Sequence, residues 1–156
     1  MARRALGEQP YGMGKRASGS PVAPLDLVDV PGDPERLALI RHSLAQWAAA
    51  AALPPDDVDD LVIAVYEAMA NVLDHAYDRP QRCYFDLHAV RTDDRVEVVV
   101  ADSGHWRTPP ADPGHRGRGL ALIRRLADHV DLRHDECGTT VAMSWYLPDS
   151  PVRARD

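Results

Sequence analysis

Apolar residues recur at steps of three and four from Leu61 through Val62, Val65, Ala68, Met69 and Val72 to Ala76. That period marks one buried face of an α-helix. A similar face, Leu37, Ile40, Leu44, Trp47 and Ala48, follows Asp33-Pro34-Glu35, where an aspartate can cap and a proline can fill the first turn. This earlier helix should run into the alanine stretch before Pro54-Pro55. Asp56-Asp57 then opens the longer helix, which should end between Asp78 and Pro80. Shorter runs fit strands: Leu25 to Val30 stopping at Pro31-Gly32, Cys83 to Val90, Arg95 to Ala101, Val130 to Arg133 and Thr140 to Leu147. Thr92-Asp93-Asp94 should close a hairpin, and residues 135–138 a second turn. Between the strand at Ala101 and a helix over 120–128 lies a long stretch, 102–116, with no apolar period. Long ordered loops tend to carry function. The order of elements predicts an α/β two-layer sandwich: a mixed, largely antiparallel sheet with helices on one face.

Composition narrows the class. At 156 residues the chain has the size of one ordinary domain. Acidic residues outnumber basic ones 24 to 18, so no direct nucleic-acid contact is expected. Lys15 is the only lysine, which removes lysine-dependent P-loop or Schiff-base chemistry from the folded part. Cys83 and Cys137 are isolated, as in a reducing compartment, and read as small buried hydrophobes. No apolar run approaches the roughly 20 residues of a membrane span, and the start has no secretory h-region. A soluble cytoplasmic protein is expected. Residues 1–23, rich in Gly, Ser, Pro and basic groups, should form a disordered tail, as should 149–156.

The chemistry begins on the long helix. Glu67, Asn71 and His75 stand at successive four-residue steps and stack on its polar face. A carboxylate base and an oxygen ligand would project together from it. Next, a buried-type strand ends at Asp102-Ser103-Gly104; a carboxylate at a strand exit can accept from an amino group, and glycine admits a flat ligand. Gly114-His115-Arg116-Gly117-Arg118-Gly119-Leu120 then leads into a helix N-terminus, where free N–H groups and the helix dipole suit a phosphate. Gly138-Thr139-Thr140 precedes the last strand. Each motif alone is also ordinary turn or helix-entry sequence.

Taken together and in this order, the four motifs resemble the GHKL ATPase superfamily of gyrase, histidine kinases and MutL. Within it the chain looks most like the anti-sigma-factor serine/threonine kinases of the RsbW and SpoIIAB type. Glu67 to Tyr77 is similar to the family's N-box, Asp102-Ser103-Gly104 to its adenine box, Gly117-Arg118-Gly119-Leu120 to its second glycine box, and Gly138-Thr139-Thr140 to its closing element. The resemblance implies an ATP-binding domain over 24–148, with ATP and Mg²⁺ as cofactors. It implies Asn71 as the Mg²⁺ ligand and Glu67 as general base toward a protein serine or threonine. Asp102 would read adenine, Gly104 admit its ring, Gly117 and Gly119 cradle phosphates beside Arg116, Arg118 and Leu120, and Thr139 support the base, with His75 at the rim. Implied partners are a sigma factor and an anti-sigma antagonist, with a possible homodimer.

The chain departs from this pattern where the adenine box usually reaches a second glycine. Trp106 stands there, followed by Arg107-Thr108-Pro109-Pro110. The tryptophan reads as an anchor pinning the loop to the body, and the prolines should stiffen it. A nucleotide-binding interaction module with weak catalysis, and an ATPase or histidine-kinase-type catalytic domain, are the alternative functions.

Overall fold

The computed structural model describes residues 21–75, 83–103 and 118–153. Its elements are β1 (Leu25–Pro31), α1 (Pro34–Ala50), α2 (Pro55–His75), β2 (Tyr84–Arg91), β3 (Arg95–Asp102), α3 (Gly119–Leu126), β4 (His129–Asp135) and β5 (Gly138–Tyr146).

Local chemistry sets the helix ends. The Asp33 carboxylate accepts from the Glu35 N–H at 2.9 Å with Pro34 in the first turn, and α1 buries Leu37, Ile40, Leu44, Trp47 and Ala48, the face its period predicts. At its far end the N–H groups of Ala51, Ala52 and Leu53 bond back to Trp47, Ala49 and Ala48. Ala52 turns the chain there with φ +66°, a conformation more natural to glycine. α2, 21 residues and so about 31 Å long, buries Leu61, Val65, Ala68, Met69 and Val72 against the sheet.

The five strands pair in the order β1-β2-β3-β5-β4, and every pairing is antiparallel. The two-layer sandwich is as expected, but the sheet is not mixed. The β3-α3-β4 crossover does make β3 and β4 parallel, yet β5 lies between them and pairs antiparallel with both. Phe85, Leu87 and Ala89 of β2, Val96, Val98 and Val100 of β3, and Val141, Met143 and Trp145 of β5 share the helix-facing core. β1 contributes Leu25, Leu27 and Val30, which keep to one face only because a bulge intervenes at Val28-Asp29. Asp29 adopts φ +52°, and its N–H donates to the Asp86 carboxylate at 2.8 Å. Val28 is left exposed.

The described residues beyond β5, 147–153, return to the body, although the composition reads as a tail from 149 on. Ser150 is buried, and the Arg153 guanidinium grips both oxygens of Asp57 at 2.7 and 3.2 Å and the Tyr146 carbonyl at 2.9 Å. Of the cysteines, Cys83 is buried as expected. Cys137 is exposed, because it occupies the β4-β5 turn, where its N–H bonds to the Asp135 carboxylate. Among the described residues no helix is long and apolar enough to cross a membrane.

Candidate nucleotide-binding and phosphotransfer site

The structure assembles two clusters of side chains, one between helices and one at the sheet end where β3 stops and β5 begins. The first forms between helices. Glu67 and Asn71 project from α2 toward the first residue of α3, and Gly119 is buried against them. A Cβ at Gly119 would lie 3.1 Å from Glu67 Oε2, 3.1 Å from Asn71 Oδ1 and 3.4 Å from Asn71 Nδ2. Glycine therefore lets the start of α3 approach a carboxylate and an amide from the same side.

Arg118, the residue before that turn, makes no side-chain capping bond. The positive end of the α3 dipole lies beside Glu67 and Asn71. Arg118 itself is exposed and Leu120 half-buried at this entry. This is a surface suited to an anion.

The second cluster belongs to the sheet. Asp102 pairs with Thr139 across β3 and β5 and with Phe85 across β2 and β3, so by strand alternation it shares the helix-facing side with Val100. Thr139 is buried on the same side. Gly138, at φ +146°, brings its backbone against the Asp102 carbonyl so closely that a Cβ would come within 1.9 Å of that oxygen. Its sequence signal was its place just before Thr139-Thr140 at the end of a tight turn; its contact with Asp102 required the register. Cys83 lies close by, and burial first, then the Asp102 carboxylate, push its thiol above the ordinary range. It stays protonated and chemically quiet.

The expected residues therefore divide into three groups. Glu67, Asn71 and Gly119 are brought into contact, as are Asp102, Gly138 and Thr139. His75 lies on the last turn of α2. Gly104, Trp106, Arg116 and Gly117, together with the side chain of His75, lie outside the described residues. Asn71 offers one hard amide oxygen, and among the described residues no group of three or more His, Cys, Asp or Glu could hold an ion. That donor set fits a magnesium ion completed by phosphate oxygens and water, and does not fit an all-protein metal cage.

A trough of about 420 Å³ opens on the opposite side of the sheet, over Ala101, Thr140 and Ala142, and reaches the strand ends at Asp102, His134 and Gly138. It is not the cleft between the helices.

The family model of the histidine kinase-like ATPase domain matches residues 30–145, which takes in both clusters. The chain belongs to this family. Among named relatives, the serine-protein kinase RsbW of Bacillus subtilis is 34% identical over 133 residues, covering 76% of this chain and 82% of the relative. RsbW of Halalkalibacterium halodurans is 31% identical over 141 residues, covering 81% and 85%. Membership thus extends to the RsbW-type serine-protein kinases.

Solved structures agree on the fold of this family member. The RsbU and RsbW domains of a Mycobacterium tuberculosis protein superpose with a TM-score of 0.61 at 20% identity. The match covers 79% of the present chain and 31% of that larger one. A blue-light activated histidine kinase of Erythrobacter litoralis gives 0.52 at 19% identity, covering 77% and 42%.

Proposed function

We propose that the chain binds Mg-ATP in the cleft bounded by α2, the start of α3 and the ends of β3 and β5. There it phosphorylates a serine or threonine of an anti-sigma antagonist, and it holds a sigma factor in alternation with that antagonist in the cytoplasm. The observation that carries this reading is the contact of Glu67 and Asn71 with buried Gly119. It puts a carboxylate and an amide beside a helix N-terminus, which supports reading them as base and metal ligand next to a phosphate.

Asp102 accepts from the adenine amino group and Thr139 supports the base. The N–H groups at the start of α3 hold phosphate oxygens, with Arg118 adding charge. Asn71 would hold magnesium, which when bound would neutralise charge on the phosphates. Glu67 takes the proton from the incoming hydroxyl as its oxygen bonds to phosphorus and the bond to the leaving ADP oxygen breaks. Little else is asked of the protein, because phosphoryl transfer depends chiefly on position and charge.

Self-association belongs to the same proposal. The helix-free side of the sheet carries small residues, Ala101, Thr140 and Ala142, between Asp86 and Arg133. Such a face is suited to a second copy, and light scattering during gel filtration would measure it.

The test of the activity is Glu67→Gln. It should bind Mg-ADP like the parent while transfer from labelled ATP to a serine-bearing antagonist falls by at least roughly a hundredfold, the range of a lost general base. Asn71→Ala should lose both properties. Transfer at the parental rate by Glu67→Gln would remove that residue as base; transfer by neither parent nor variant, with ADP still bound, would make the chain a regulatory module without catalysis.

A further inference from the structure

The residues around Asp102 form one row across the helix-facing side of the sheet. Phe85 on β2 pairs with Asp102 on β3, Asp102 with Thr139 on β5, and Thr139 with His134 on β4. His134 shares its face with Val130 and Leu132, which pack against the core. Toward β2 the row runs on through Phe85 to Val30 of β1, both apolar and buried. Polar groups therefore continue from Asp102 in one direction only, over Thr139 to His134.

We infer that His134 is the ribose contact of the nucleotide site, its imidazole exchanging a hydrogen bond with a sugar hydroxyl. The inference rests on the proposed nucleotide site and extends it to the sugar. Adjacent strands lie about 4.8 Å apart, so the backbones at Asp102 and His134 are separated by roughly 10 Å. With the adenine amino group at Asp102 and the ring over Thr139, a nucleoside brings its sugar toward β4.

The other anchors leave the sugar to this residue. Phosphate is assigned to the start of α3 beside Asn71, and the base to Asp102, Gly138 and Thr139. His134 lies at the edge strand and is exposed to solvent, where a group bearing hydroxyls keeps its hydration. Imidazole carries a donor and an acceptor, and a hydroxyl can answer either. No charge on the ring is required.

The experiment is calorimetric titration of the parent, His134→Ala and His134→Gln with ADP, 2′-deoxy-ADP and 3′-deoxy-ADP at fixed magnesium. The parent should bind ADP roughly three- to tenfold more tightly than at least one deoxy analogue, the worth of one hydrogen bond. His134→Ala should lose that discrimination while its affinity for the same analogue stays parental, and His134→Gln should restore part of it.

An equal loss for all three ligands in His134→Ala would overturn the inference, since a structural role does not distinguish sugars. So would a parent that binds the three alike. Asp102→Asn serves as control for the site itself. If the parent binds ADP and Asp102→Asn does not, while His134→Ala matches the parent on every ligand, only the ribose contact fails; if the folded parent binds no ADP, the nucleotide site fails with it.

Discussion

Gly119 condenses the site into one position. An added methyl would come within 3.1 Å of both the Glu67 carboxylate and the Asn71 amide, the ends of side chains able to shift by tenths of an ångström. Gly119→Ala should therefore fold, helped by the better helix propensity of alanine, worth about 1 kcal/mol in a helix interior. The same shift misplaces the proposed base and the proposed metal ligand. We expect a Tm near the parent's but phosphotransfer lower by at least about tenfold, since small errors of position are costly in catalysis. Thermal denaturation and a transfer assay on one preparation check both. Residues 67 and 71 were legible in the sequence because a four-residue step on a helix is a statement about space. Gly119 was legible only as a helix entry. Which α2 side chains it would meet depends on how α2 and α3 cross, and no local pattern encodes that.

The elements differ in how far local rules governed them. α1 formed where its apolar period and the Asp33-Pro34 start placed it, because capping and amphipathicity agree there. β1 was harder. Leu27 and Val28 are adjacent apolar residues, and only the bulge at Asp29, held by the Asp86 carboxylate on the next strand, decides which of them faces the core. The sheet itself was misread as mixed because sequence order reveals the β3-α3-β4 crossover but not the insertion of β5 between its two strands. At the end of α1, Ala52 holds φ +66°. An L-residue there costs about 1–2 kcal/mol. Ala52→Gly should relieve part of this strain, offset by greater freedom in the unfolded chain, for a net gain of about 0.5–1 kcal/mol in chemical denaturation. Destabilisation by that substitution would show that the Ala52 methyl packs better than its backbone conformation suggests.

At the scale of the molecule, one core beneath α1, α2 and α3 supports both clusters, so occupancy of the cleft should be felt throughout the fold. Mg-ADP at about 100 times its Kd should stabilise the protein by about 2.7 kcal/mol, read as a rise in Tm. The same experiment on Asn71→Ala should give a much smaller rise; no shift in the folded parent would sink the nucleotide reading. The strand order has a further consequence, for the birth of the protein on the ribosome. β3, which ends in Asp102, borders β2 on one side and β5 on the other, and β5 is the last strand in the chain. During synthesis the first three strands can join while the central strand keeps a bare edge, and β4 emerges with no neighbour to take it. Both needs are met by one event, the arrival of residues 138–146. A nascent chain stalled before that segment should be protease-sensitive and unable to retain nucleotide, and extending it through Tyr146 should confer both properties together.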